Sequence, residues 1–143
     1  MKRTCILVAT LIFVTLDARA LELYGTADRI VDGDTLWVCD QAACHKIRLC
    51  GVNAPEKGAG SYHDSKAALA DLIKGKNVCC LQVSRGTPCD GRSKPINRDR
   101  IVAQCFVGDL DIAGALVASG LACDWVKFSG GVYARDANGK ACP

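Results

Sequence analysis

The sequence predicts an α+β domain, mainly β, in the form of a small closed antiparallel barrel of five strands. Two observations carry this expectation. Five short segments rich in β-branched residues are separated by turn signals, and two segments with helical spacing fall after the third and after the fifth of them. The 143-residue chain is also long enough for one compact core.

Residues 24–31 and 35–39 read as the first two strands, separated by the turn Asp32-Gly33-Asp34. A short loop over 40–43 leads to a third strand over 45–52, completing a hairpin. Residues 64–74 predict a helix, because Ala68, Leu69, Leu72 and Ile73 share one face; Asp64 or Ser65 can cap its start and Gly75 its end. A fourth strand follows over 77–83. The Gly-, Pro-, Ser- and Arg-rich stretch 84–97 predicts an exposed loop, and 101–107 a fifth strand. Asp111 can cap a second helix with an apolar face of Ile112, Ala115 and Leu116, stopped by Gly120. From Lys127 onward the Gly-rich, Cys-bearing tail has no periodicity. One helix between the third and fourth strands and one after the fifth is the pattern of the OB-fold barrel.

Residues 1–20 stand apart. Lys2 and Arg3 precede an apolar run over 4–16, and Ala18-Arg19-Ala20 fits a small-x-small cleavage rule. These features predict a secretory leader cut after Ala20, and the apolar run is short for a membrane span. The expectation is a bacterial periplasmic or secreted protein, monomeric and free of the membrane after cleavage, with a domain over 21–126 and a tail over 127–143. Removing Lys2, Arg3, Arg19 and Asp17 takes 18 basic and 15 acidic side chains to 15 and 14. So small an excess does not point to a partner by itself, and attraction for an anion must come from where charges sit.

Nine of the ten cysteines follow the predicted cut. With a leader, that density reads as disulfides. Zinc is a poor fit, since no C-x-x-C pair occurs and only two histidines exist. Cys39 and Cys44 flank the hairpin loop and can face each other; Cys80 and Cys105 lie in strands expected to be neighbours. Either pair could instead be small apolar filler. Cys50 with Cys123, and Cys89 or Cys142 with any partner, stay open, and an odd count leaves at least one thiol over.

Four polar clusters stand out. In Asp32-Gly33-Asp34-Thr35 two carboxylates crowd one turn, which suits a hard cation, although Asp-Gly turns are common in hairpins. Arg48 interrupts the apolar run Ile47-Arg48-Leu49 and could simply face solvent. In Asn53-Ala54-Pro55-Glu56 the proline stiffens the turn that carries Glu56. Arg98-Asp99-Arg100 enters the fifth strand and is otherwise a solvated charge run. Together they suit a phosphodiester: two arginines to fork onto phosphate, a carboxylate to take a proton from water, and oxygens to hold a cation. No Ser-His-Asp or Cys-His arrangement competes, and the glycines lack the GK[ST] of a phosphate loop.

RIVDGDTLWV, KIRLCGVNAPE and NRDRIVAQC, in that order, resemble the signature segments of the staphylococcal nuclease (thermonuclease-like) family, over about 24–126. The resemblance implies a five-stranded OB barrel and Ca2+-assisted hydrolysis of DNA or RNA. It implies Asp34, Asn53 and the Ala54 carbonyl as metal-site positions, Arg48 and Arg100 as phosphate clamps, and Glu56 as general base. The chain departs from the pattern at Asn53, where the family has a metal-binding Asp. It departs again at Arg98-Asp99, where the family has Tyr-Gly, and in lacking a longer carboxy-terminal helix. A metal-assisted nuclease is therefore expected. The competing class is a non-catalytic OB module that holds single strands, with Trp125 or Phe128 as a stacking face.

Overall fold

The computed structural model describes residues 20–136 and 139–143. The expected leader over 1–20 lies, apart from Ala20, outside the described residues. Strands β1 (Glu22–Asp32), β2 (Thr35–Cys39) and β3 (Cys44–Leu49) form an antiparallel meander, followed by the two-residue β4 (Val52–Asn53). Helix α1 (Tyr62–Ile73) leads to β5 (Asn77–Gln82), and the short β6 (Ile96–Asn97) leads to β7 (Arg100–Val107). After β8 (Leu110–Asp111) come α2 (Ile112–Ala118), β9 (Cys123–Asp124), α3 (Val126–Ser129) and α4 (Val132–Asp136).

The five long strands run β3-β2-β1-β5-β7, and β3 also pairs with β7, closing the barrel. That closing pair is parallel, with Ile47 opposite Ile101 and Leu49 opposite Ala103. The barrel is therefore mixed, not antiparallel as the sequence predicts. Pattern within a strand reports which side chains face inward, but not the direction of the strand that closes the ring. Inward-facing Leu36, Val38, Ile47 and Leu49 alternate with outward Trp37, Lys46 and Arg48, as a half-buried strand requires.

Helix α1 caps the barrel with Leu69 and Ile73 in the core and Ala68 and Leu72 packed against it. It starts two residues before the predicted boundary. Its cap is Ser61, which makes no side-chain bond, so neither Asp64 nor Ser65 caps it. Ser65 is instead fully buried under the Asp32–Asp34 turn. Asp111 does cap α2, accepting from the N–H groups of Ala113 (3.0 Å) and Gly114 (3.3 Å). The segment from Lys127 onward corrects the reading of an aperiodic tail, since it holds most of α3 and all of α4. Asp124, fully buried, accepts from Ser129 Oγ and from the Ala134 N–H at 2.7 Å, folding these turns back onto the barrel.

Among the described residues three disulfides are present: Cys39–Cys44, Cys80–Cys105 and Cys123–Cys142. The first two are the pairs suggested by the hairpin loop and by the expected neighbouring strands. The third excludes Cys50 with Cys123 and ties the end of the tail to β9. Among the described residues, no helix is long and apolar enough to cross a membrane.

Candidate phosphate site

The site begins at the turn between β1 and β2. Asp34 donates its N–H to Asp32 Oδ1 (3.1 Å), a local bond that shapes the turn. Gly33 is required by space: a Cβ there would lie 1.9 Å from Ser65 Oγ and 2.8 Å from the Ala54 Cβ. The close approach of α1 and the Asn53-Ala54 segment buries Asp34, leaving its side chain 7% exposed.

Asp34 and Arg48 meet although fourteen residues separate them, because Thr35 is the cross-strand partner of Arg48. Arg48 Nη1 lies 3.1 Å from Asp34 Oδ2. The guanidinium also donates to the carbonyls of Leu49 (3.0 Å) and Val52 (2.9 Å), so its plane is fixed from three sides. Asp34 accepts further from the Ala54 N–H (2.8 Å) and from Thr35 Oγ1 (3.1 Å). Burial nevertheless outweighs these partners: it pushes the Asp34 carboxyl up to about 6, against the pull of Arg48 and the Ala54 N–H, with Asp32 adding to the rise.

Arg48 opens onto a cavity of about 480 Å3 whose wall carries Arg92, Lys94, Arg98, Trp125 and Phe128. Among the described residues no carboxylate lines it. Trp125 is 38% exposed and meets Phe128 edge to face at 4.7 Å. Both are positioned by the folded-back tail, where the Trp125 N–H donates to the Gly51 carbonyl at 2.8 Å. Gly51 has φ 75° and sits where a Cβ would strike Ser129, so only glycine suits this turn.

The other predicted residues are spread around this corner. Ala54 contacts Asp34 directly through its N–H. Asn53, Ala54 and the exposed Glu56 border a second cavity of about 410 Å3, beside Lys140 of the tail. Arg100, half-buried, lines a third of about 160 Å3 with Asp32, Thr35 and Lys46. Among the described residues no ion pair joins Glu56 to Arg48 or Arg100. Asp99 turns to Lys46 at 2.8 Å, and that bond holds its carboxyl below the usual range. The carboxylate in Arg98-Asp99-Arg100 is thus committed to a lysine on the neighbouring strand.

Among the described residues no three acidic, His or Cys side chains converge as a metal cage. The oxygens that border this turn, from Asp32, Asp34 and the Asn53-Ala54 segment, are of the donor type a hard divalent cation takes. Sequence reasoning missed Arg92 and Lys94. Both sit in a stretch whose composition says only loop, and nothing local reports that it folds against Arg48.

No family model matches the chain. Over 64 residues it is 33% identical to a protein of Escherichia coli O157:H7 described as an uncharacterized endonuclease, and equally to one of the same description from Escherichia coli. The matched segment is 45% of this chain and 42% of each relative, so the chain spans less than half the length of the curated relatives it matches.

Proposed function

We propose that this protein binds nucleic acid at the Arg48 corner and hydrolyses its phosphodiester bonds. The observation that carries this reading is Arg48 itself: a guanidinium pre-set by two carbonyls and a buried carboxylate, at the mouth of a cavity lined by three more cations and two aromatic rings. Such a cation need not reorganise when charge builds on a phosphate. The cavity chemistry suits a nucleotide, with the sugar-phosphate on the Arg and Lys side chains and a base against Trp125 or Phe128. The endonuclease description of the relatives agrees with this reading.

In the reaction proposed, a water oxygen attacks phosphorus while Glu56 accepts a proton from that water, and the bond to the ester oxygen breaks, that oxygen leaving with the electron pair and taking a proton from solvent. Arg48 and Arg100 neutralise the phosphoryl oxygens. A divalent cation such as Ca2+, when held by Asp34 and oxygens of Asn53 and Ala54, would polarise the phosphate. The role of Asp34 toward Arg48 is to hold the guanidinium plane.

The test is an assay of the purified protein on single- and double-stranded DNA and RNA, with calcium or with chelator. Cleavage is expected. Glu56→Gln lowers turnover with strand binding kept, and Asn53→Asp raises cleavage at limiting calcium. Binding without cleavage by the parent, and none created by Asn53→Asp, would leave a strand-binding module in place of an enzyme.

A further inference from the structure

After three disulfides, Cys50, Cys79 and Cys89 remain as thiols among the described residues. Two of them are not scattered. Cys50 is 1% exposed and Cys89 fully buried, and together with Val83 and Val102 they form a small core of their own, separate from the barrel interior. Within a core of only four buried residues, these are its two sulfur-bearing side chains. Cys79 lies elsewhere, in mid-β5 beside Glu22.

We propose that Cys50 and Cys89 form a fourth disulfide in the oxidised protein, and that this bond ties together the two walls of the basic cavity. Position gives the bond its consequence. Cys50 lies two residues after Arg48, and its N–H donates to the Ala103 carbonyl of β7 at 2.9 Å, so it belongs to the barrel. Cys89 lies three residues before Arg92, in the segment that also supplies Lys94 and Arg98 to the opposite wall. The Cys89 carbonyl accepts from the N–H groups of Arg92 (3.0 Å) and Ser93 (2.9 Å), so fixing its sulfur fixes the start of that wall. A segment this polar has little apolar surface to hold it in place, and Cys89 is one of the few buried points between 84 and 97.

The oxidant is a disulfide of a protein thiol–disulfide oxidoreductase, or oxidised glutathione in vitro. One cysteine, as thiolate, attacks a sulfur of that disulfide and releases one of its thiolates, forming a mixed disulfide. The second cysteine's thiolate then attacks the sulfur of the first, the S–S bond between them forms, and the second thiolate of the oxidant leaves. Two electrons end on the oxidant, and the two thiol protons end on its sulfurs. In the closed fold the neighbouring Cys50 thiol and burial push the Cys89 thiol well up, and both sulfurs are shut away from an oxidant in solution. The bond therefore forms as the segment closes during folding. It would leave Cys79 as the unpaired thiol of the described chain.

The inference does not depend on the nuclease reading, and its test does not use activity. The full chain is refolded in a buffer of reduced and oxidised glutathione, its thiols are alkylated in denaturant, and it is digested with trypsin without reduction. Trypsin releases Cys50 in residues 49–57 (LCGVNAPEK) and Cys89 in residues 86–92 (GTPCDGR). The expected result is a single species carrying both peptides, lighter than their sum by two hydrogens and lost on reduction, with Cys79 alkylated. Recovery of both peptides alkylated, from protein in which the other three bonds are mapped, would overturn the proposal. So would either cysteine linked to any third one.

Discussion

Asp34→Asn tests the balance of forces at the heart of the site. The carboxyl is pushed up to about 6 from an ordinary 3.8 because burial outweighs Arg48. A raised folded-state value means the folded protein holds this proton more tightly than the unfolded chain. The associated stability is complete below 3.8 and is lost as pH rises through about 6. The whole rise corresponds to about 3 kcal/mol, of which about 2 kcal/mol is lost between about pH 4.5 and about pH 7.5. Asparagine has the same shape and nothing to ionise. It can turn its oxygen to the Ala54 N–H and Arg48 and its amide to Thr35 Oγ1. The stability of the variant relative to the parent should therefore improve by about 2 kcal/mol over that range, other titrations cancelling in the difference. Urea denaturation of both proteins at the two pH values measures it. A flat difference would show that Arg48 balances burial, one that turns against the variant as pH rises that Arg48 outweighs it, and either would refute the reasoning.

Other perturbations have equally definite outcomes. Arg48→Lys keeps the charge but cannot hold two carbonyls and Asp34 in one plane. It should cost about 2 kcal/mol in denaturant unfolding, and weaken oligonucleotide binding measured by fluorescence anisotropy. Gly33→Ala drives a methyl into Ser65 Oγ and the Ala54 Cβ, so a loss of about 1–3 kcal/mol is expected with α1 displaced, visible as amide shifts centred on Ser65. Replacing Cys80 and Cys105 together by Ala opens a loop closed across 25 residues, which should lower stability by about 3–4 kcal/mol in thermal unfolding without changing the barrel's circular dichroism.

How much of this was legible in the chain follows from the range of each interaction. Strands β1, β2, β3, β5 and β7 and helices α1 and α2 are marked by local period and punctuation, and a cap such as Asp111 acts within three residues. The Cys39–Cys44 pair follows from the β2–β3 hairpin, which fixes register, whereas Cys80–Cys105 needs β5 and β7 to be neighbours, a pairing made across the long 83–99 stretch. The two short helices of the tail gave no such signal. A run of four or five residues has no period to read, and theirs is imposed by Asp124, itself buried in the fold.

By itself, then, the sequence determined the five long strands, the two longer helices and the residue types suited to a phosphate, and it singled out two cysteine pairs as candidates for disulfides. Those properties depend on neighbours a few positions apart. Tertiary structure decided the parallel closure of β3 on β7 and the placement of Arg48 against Asp34. It also carried Arg92, Lys94 and Arg98 across to face Arg48, set Trp125 and Phe128 beside them, and brought Cys50 to Cys89. The physical reason is the same in each case. These contacts join segments far apart in the chain, and their energies, from desolvation of a buried carboxylate to packing of a second small core, exist only once the barrel has closed.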